Sequence, residues 1–194
     1  MKHRAAIREM IDLGRALWER RLVSGSSGNL SARLEDGTVL MTPPGVSLRA
    51  LKAKDLVLTD PSGNSRNKEQ RPTSEFHLHV AAYQTREDIT VAVHTHPTFC
   101  VIWSKHNSTL PRDTVGARET LRDVVVAPYQ PPGSIALADQ VGIALREVDN
   151  VLMERHGFLA VSSSFEDAFL QTDLAEEAAR IAYFSRLAGL TAND

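Results

Sequence analysis

Val91-Ala92-Val93-His94-Thr95-His96-Pro97 carries two histidines spaced i, i+2 at the end of an apolar, mostly β-branched run. Such a run predicts a buried strand. On a strand, side chains two apart share a face, so His94 and His96 should project together from the end of a rigid element. Paired imidazoles begin a divalent metal site, since neutral imidazole suits ions such as Zn, Fe and Ni. Pro97 has no N–H for a ladder and ends the strand, and it suits the first turn of a helix over Thr98 to Lys105. Two histidines alone would more often be hydrogen-bonded partners at a strand end. Here a third histidine and a carboxylate change the balance. His156 precedes Gly157 at the junction of two expected strands, where a side chain can leave the core and face a cleft. Three histidines with an open fourth position describe a catalytic rather than a structural metal site. Glu75 is expected at a helix start near that metal, as a fourth ligand or a mobile acid/base. Its plainer reading is a carboxylate placed favourably at a helix N-terminus. His77 and His79 repeat the i, i+2 spacing inside an expected helix, where positions two apart diverge, and they are read as structural or surface residues.

Small hydroxyl and glycine residues recur in three loops: Ser26-Ser27-Gly28-Asn29, Thr42-Pro43-Pro44-Gly45 and Thr73-Ser74. Backbone N–H groups, short hydroxyls and a helix N-terminus together make an anion cradle suited to phosphate. Any one loop alone would be read as a turn; their shared position beside strand or helix ends raises the phosphate reading. No Gly-Lys-Ser/Thr follows, so this is not a Walker A loop. The charged stretch Arg112 to Glu119 is read as a solvated loop.

The elements that must position these residues follow from periodicity. Met1 to Leu22 reads as a helix with an apolar stripe of Ile7, Met10, Ile11, Gly14, Leu17 and Trp18. Leu30 to Leu34 and Thr38 to Met41 flank an Asp36-Gly37 hairpin signal. A short helical turn at Leu48 to Lys52 precedes a strand from Asp55 to Thr59. A helix from Glu75 to Gln84 takes Ser74 or Thr73 as its N-cap. After the histidine strand, Asn107 to Arg122 shows no clear period. Strands are expected at Asp123 to Ala127, Asn150 to Met153 and Gly157 to Val161, with a helix from Ile135 to Val148. Ser163-Ser164 caps a final helix, Phe165 to Leu187, whose inner face is Phe165, Ala168, Phe169, Thr172, Ala175, Ala179 and Ala182. Helices at both ends and between hairpin-linked strands predict an α/β protein with a mixed sheet.

A length of 194 residues suits one domain spanning 1–194. The net charge of -2 gives no general pull towards nucleic acid or a membrane surface, so any anion site must be local. Cys100 is the sole cysteine, which excludes an intrachain disulfide and a Cys-rich zinc site and fits a reducing cytoplasm. Charges at Arg8, Glu9 and Asp12 interrupt the N-terminus, so no signal peptide is visible. No apolar run approaches the roughly 18–20 residues that span a bilayer.

The ordered set SSGNLSAR, MTPPG, PTSE, AVHTHP, APYQPPGS and ERHGFLAV resembles the class II aldolase/adducin family, from about Leu22 to the final helix. The resemblance implies a three-layer α/β/α fold with a central mixed, largely antiparallel sheet. It implies a homotetramer with active sites near subunit interfaces. It implies that His94, His96 and His156 bind Zn²⁺ or another divalent ion such as Mn²⁺, Co²⁺ or Fe²⁺, and that Glu75 is the catalytic acid/base. Asn29, Gly45, Thr73 and Ser74, with Ser26 or Ser27, would hold a substrate phosphate. The implied reaction is cleavage of a ketose 1-phosphate to dihydroxyacetone phosphate and an aldehyde. Decarboxylases, dehydratases and 4-epimerases share the family, as do adducin-like interaction modules, so the fold alone cannot choose. Glu75 argues against an epimerase, which carries aspartate there. The family's aldolases also bring a tyrosine across a subunit interface. Counting back from Ala127-Pro128-Tyr129 puts Thr114 or a neighbour at that position, and no tyrosine lies between Tyr83 and Tyr129. The chain ends soon after the final helix, so a tail closing over the site is expected to be reduced.

Overall fold

The computed structural model describes residues 3–190. The expected helical start at Met1 and Lys2 and the expected short tail after Leu190 lie outside the described residues. In chain order the elements are α1 (Arg4–Glu19), β1 (Asn29–Arg33), β2 (Val39–Met41), β3 (Val57–Thr59), α2 (Phe76–Thr85), β4 (Val91–Thr95), α3 (Thr98–Trp103), α4 (Val115–Thr120), β5 (Val124–Ala127), α5 (Ile135–Ala144), β6 (Asn150–Met153), β7 (Gly157–Ser162) and α6 (Phe165–Leu187). Among the described residues the strands form one sheet in the order β3-β2-β1-β4-β7-β6-β5. Every pairing is antiparallel except β5 with β6. The sheet is therefore mixed and largely antiparallel, as expected.

Alternation along the central strands sorts side chains into two layers. Leu30, Ala32, Val91, Val93, Phe158 and Ala160 join Met10 and Leu17 of α1 and Ala168, Ala175 and Ala179 of α6 in one core. Ala92, Leu159 and Val161 join Leu78 and Val80 of α2 and Leu137 and Val141 of α5 in the other. Ser31 pairs with Ala92 and Asn29 with His94 across β1 and β4. Asn29, Ser31 and His94 therefore share the face covered by α2.

Several local features aim the site. Arg21 turns the end of α1 with φ +60°, and the Leu22 carbonyl just after it accepts a hydrogen bond from His96 N–H at 3.1 Å. Pro97, the N-cap of α3, offers no side-chain cap. Glu176 of α6 replaces one, accepting from the backbone N–H groups of Phe99 at 3.0 Å and Cys100 at 2.9 Å. The turn that follows His96 is thus tied to the long C-terminal helix.

Some boundaries differ from expectation. The expected N-caps Ser74 and Thr73 give way to Glu75, with Thr73 Oγ1 accepting from Glu75 N–H at 3.2 Å. Helix α5 stops at Ala144, four residues short of Val148. Residues 107–122 contain α4, capped by Thr114, whose hydroxyl accepts from Ala117 N–H at 3.2 Å. Six residues are too few for periodicity to reveal, and burial of Ala117 and Leu121 holds the helix in place.

Replacing Glu176 with alanine leaves the two α3 amides without their acceptor. The expected loss is about 1–3 kcal/mol, read as a lower urea midpoint; an unchanged midpoint would show that water caps α3 equally well.

Candidate metal centre and substrate cleft

Four side chains from different parts of the chain converge where β4 ends. His94 lies in β4, His96 just beyond it, His156 in the turn between β6 and β7, and Glu75 at the start of α2. Their ligand atoms lie within 4.8 Å of one another. His94 Nε2 is 3.0 Å from Glu75 Oε2 and 2.9 Å from His96 Nε2. His156 Nε2 is 3.1 Å from Glu75 Oε1, yet Oε1 is buried without an aligned hydrogen-bond donor. The i, i+2 reading of His94 and His96 holds: their ring centroids are 4.7 Å apart.

The surroundings prepare these nitrogens to act as ligands. His94 Nδ1 lies 3.0 Å from the Phe158 carbonyl, which can only accept. That bond puts a proton on Nδ1 and turns Nε2 towards the centre. Burial, then the neighbouring His94 and His156, pushes the His96 imidazole down to about 3, so it is neutral. Burial alone would raise the Glu75 carboxyl, but the close histidines His156 and His94 hold it well below the usual carboxylate range. An ionised carboxylate, three convergent imidazoles and an orphaned buried oxygen fit a divalent cation with N/O ligands.

Backbone closeness makes the convergence possible. Arg155 takes φ +57° in the β6–β7 turn, and His156 N–H donates to the Met153 carbonyl at 3.1 Å. A Cβ on Gly157 would lie 2.4 Å from the Thr95 carbonyl oxygen, 2.6 Å from His96 Cδ2 and 2.9 Å from His94 Cε1. Gly28 has φ +80°, and a Cβ there would meet the His94 carbonyl oxygen at 3.0 Å.

The cluster opens into a cleft of about 390 Å³ lined by Ser26, Ser27, Gly28, Asn29, Pro43, Pro44, Gly45, Thr73, Ser74, Glu75, His96, Pro132 and His156. All three small-residue loops meet there, as expected. Thr42 does not line it: Thr42 is 1% exposed, and its hydroxyl accepts from Leu30 N–H at 3.1 Å. Asn29 reaches the cleft, but its side chain is turned to Glu75 and His79. Among the described residues, no lysine or arginine lines the cleft. A larger cleft of about 770 Å³ beside Arg15, Trp18, Arg21 and Arg49 holds no cluster of metal-ligating side chains.

The model of the class II aldolase and adducin N-terminal domain matches residues 8–183. The chain belongs to the class II aldolase and adducin family. It is an enzyme of the aldolase type, a lyase, and class II aldolases depend on a divalent metal. It is 32% identical to L-fuculose phosphate aldolase of Methanococcus maripaludis (strain DSM 14266), covering 90% of this chain and 94% of that protein. With L-fuculose phosphate aldolase of Escherichia coli (strain K12) the identity is 31%, covering 97% of this chain and 86% of that one. A solved L-fuculose 1-phosphate aldolase superposes with a TM-score of 0.87 at 31% identity, covering 94% of this chain and 87% of that one.

Three buried polar residues behind Glu75 escape the sequence reading. His79, assigned to structure or surface, is 0% exposed and bonds Asn29 and Ser31; Ser31 in turn bonds Tyr83. Their signal is the helical spacing Glu75, His79, Tyr83, four residues at a time, on a helix otherwise rich in apolar side chains.

Because a methyl at position 157 would press on both histidine rings, Gly157→Ala should strip most metal from purified protein while keeping the far-ultraviolet circular dichroism. Metal per chain by mass spectrometry decides it: full occupancy would show that the β7 backbone does not set the ligand geometry.

Proposed function

We propose that the protein cleaves a ketose 1-phosphate to dihydroxyacetone phosphate and an aldehyde. The observation that carries this reading is the Glu75–His94–His96–His156 cluster set into a cleft whose rim is three small-residue loops. His94, His96 and His156 are the metal ligands, with Zn²⁺ as the expected ion and Mn²⁺, Co²⁺ or Fe²⁺ as alternatives. Bound there, the ion supplies Lewis-acid stabilisation of negative charge developing on the substrate oxygens. Ser26, Ser27, Gly28, Gly45, Thr73 and Ser74 offer backbone N–H groups and hydroxyls to the phosphate, aided by the N-terminus of α2. Asn29 borders that cradle. Held by its phosphate, the substrate is oriented at atoms remote from the reacting bond. When the C3–C4 bond breaks, the electron pair stays on the C3 side and the C4 hydroxyl gives up its proton as it becomes the aldehyde carbonyl; Glu75, ionised at rest, takes up that proton and delivers it to C3. Glu75 is suited to this shuttle because it stands at the cleft floor, 8% exposed, between His94 and His156.

The family match supports reading residues 1–194 as one domain. The homotetramer is also part of this reading. Val115, Ile135, Ile143 and Phe184 leave more than half of their surface open, which an assembly would cover. A free, buried Cys100 supports a cytoplasmic setting, and no helix of the described residues is long and apolar enough to cross a membrane.

One observation favours a second reaction on the same site. Thr114 or a neighbour stands at the place of the family's interface tyrosine, and Thr114 caps α4. The second reading is a decarboxylase or dehydratase of a related sugar phosphate on the same metal site, or a 4-epimerase, against which Glu75 argues.

Metal-analysed protein should release dihydroxyacetone phosphate from a panel of ketose 1-phosphates, with sugar-acid phosphates run alongside for CO₂. Carbon dioxide without aldol cleavage would transfer the enzyme to the decarboxylases. Glu75→Gln should keep its metal and lose turnover by about 10²–10⁴-fold; near-normal turnover would reduce Glu75 to a helix-start residue.

A further inference from the structure

Glu75 is one end of a buried row of polar side chains. Glu75, His79 and Tyr83 are spaced by four along the start and body of α2 and so share one face. Asn29 and Ser31 are spaced by two on β1 and present the opposing face. The two sets interleave. Tyr83 Oη lies 2.7 Å from Ser31 Oγ, and Ser31 Oγ lies 2.6 Å from His79 Nδ1. His79 Nε2 bonds Asn29 Oδ1, and Asn29 Nδ2 lies 3.1 Å from Glu75 Oε2.

The chemistry of the groups sets the direction of every bond. A carboxylate only accepts, so Asn29 must turn its NH₂ to Glu75 and its carbonyl oxygen to His79. That oxygen also only accepts, so His79 carries a proton on Nε2. Burial, then His94 nearby, pushes the His79 imidazole down to about 3, so it is neutral and its Nδ1 is bare. Nδ1 therefore accepts from the Ser31 hydroxyl. Ser31 has one proton to give, so Tyr83 must donate to it, and burial raises the Tyr83 phenol and keeps it protonated. Four successive hydrogen bonds run one way and end on the carboxylate.

We propose that His79 is a positioning residue which, through Asn29, fixes the orientation of the Glu75 carboxylate by a directed hydrogen bond. The proposal rests on the reading of Glu75 as the acid/base. A helix packed on a strand is made more cheaply with apolar side chains than with four buried polar ones. This row also does not close on itself; it terminates on the group that moves the proton. Without the N–H of His79, the Asn29 amide keeps only its bond to Glu75, and its buried carbonyl oxygen loses the donor that held the amide in place. Ser31 and Tyr83 act one step further back, by holding the His79 ring in the tautomer that donates from Nε2.

The test uses the metal-loaded protein. His79→Leu removes the donor, and His79→Gln keeps an N–H near the place of Nε2. With a ketose 1-phosphate that the unmodified protein cleaves, His79→Leu should lose about 10–100-fold in kcat. KM, metal content and circular dichroism should stay near those of the unmodified protein, and His79→Gln should recover most of the rate. A general structural role would move stability and KM and would not be rescued by glutamine. Independently of turnover, ¹⁵N spectra of the unmodified protein should show the His79 ring protonated on Nε2 and bare on Nδ1, the signal vanishing in His79→Gln. Undiminished kcat in His79→Leu, a loss that glutamine does not recover, or a proton on Nδ1 would each overturn the proposal. If His79→Leu does not fold, Tyr83→Phe takes its place, with a few-fold fall in kcat expected and no change overturning. Absence of aldol cleavage in the unmodified protein would sink the reaction assigned above, and the tautomer would still decide the orientation of Asn29.

Discussion

A carboxylate kept ionised while almost wholly out of water is the constraint on which this structure depends. Glu75 is 8% exposed, and burying a lone charge is expensive unless it is paired and hydrogen-bonded. Its partners come from three other places: His94 from β4, His156 from the β6–β7 turn and Asn29 from β1. None is near Glu75 in sequence. The carboxylate is therefore compensated only after the sheet has assembled and α2 has docked, so a competent site and a complete fold are one condition.

The sheet meets that condition through registry. β1 and β4 are neighbours, and their pairing sets Asn29 opposite His94. The two-residue period then places Asn29, Ser31 and His94 on the layer covered by α2, while Leu30, Val91 and Val93 fill the opposite core. A slip of one residue would exchange these sets, burying imidazole among the leucines and presenting valine to the cleft. The many apolar positions of the opposite core thus enforce the placement of a few polar ones. Gly157 and Gly28 complete the fit from outside the strand, since each lets backbone approach the histidines more closely than a Cβ allows.

How much of this was legible in the sequence depended on the range of the interaction. The histidine pair on β4 was legible because strand period is local and strong. The turn containing His156 was legible from Gly157 and the flanking apolar runs. Helix α4 was not, since its six residues are held by tertiary burial and a single cap. Thr42 looked like a loop hydroxyl available to a ligand, but its position beside Leu30 across the β1–β2 ladder occupies it with a backbone amide. His79 was weighed only against His77, two residues away, where helix geometry forbids a shared face. Measured against Glu75 and Tyr83, four residues to either side, it belongs to a stripe, and the partners of that stripe lie on β1, some fifty residues earlier.

The charges of the cleft say what kind of ligand it can hold. Among the described residues it is lined by no arginine or lysine and by one buried carboxylate, Glu75. A phosphate dianion entering such a space meets repulsion from Glu75, and the hydroxyls and backbone amides of the rim offset only part of it with partial charges. In the proposed reaction the remaining positive charge comes from an ion on the histidines. On that proposal, metal and phosphate favour one another in this cleft through a shared field. On the same proposal, fixed neutral donors at the phosphate end keep the substrate's orientation independent of the flexible side chains that a basic cradle would use. The same arrangement makes the orientation of the carboxylate matter more. With no second titratable acid in the cleft to substitute for it, proton delivery depends on where one oxygen pair points, and the directed row behind Asn29 bears on that.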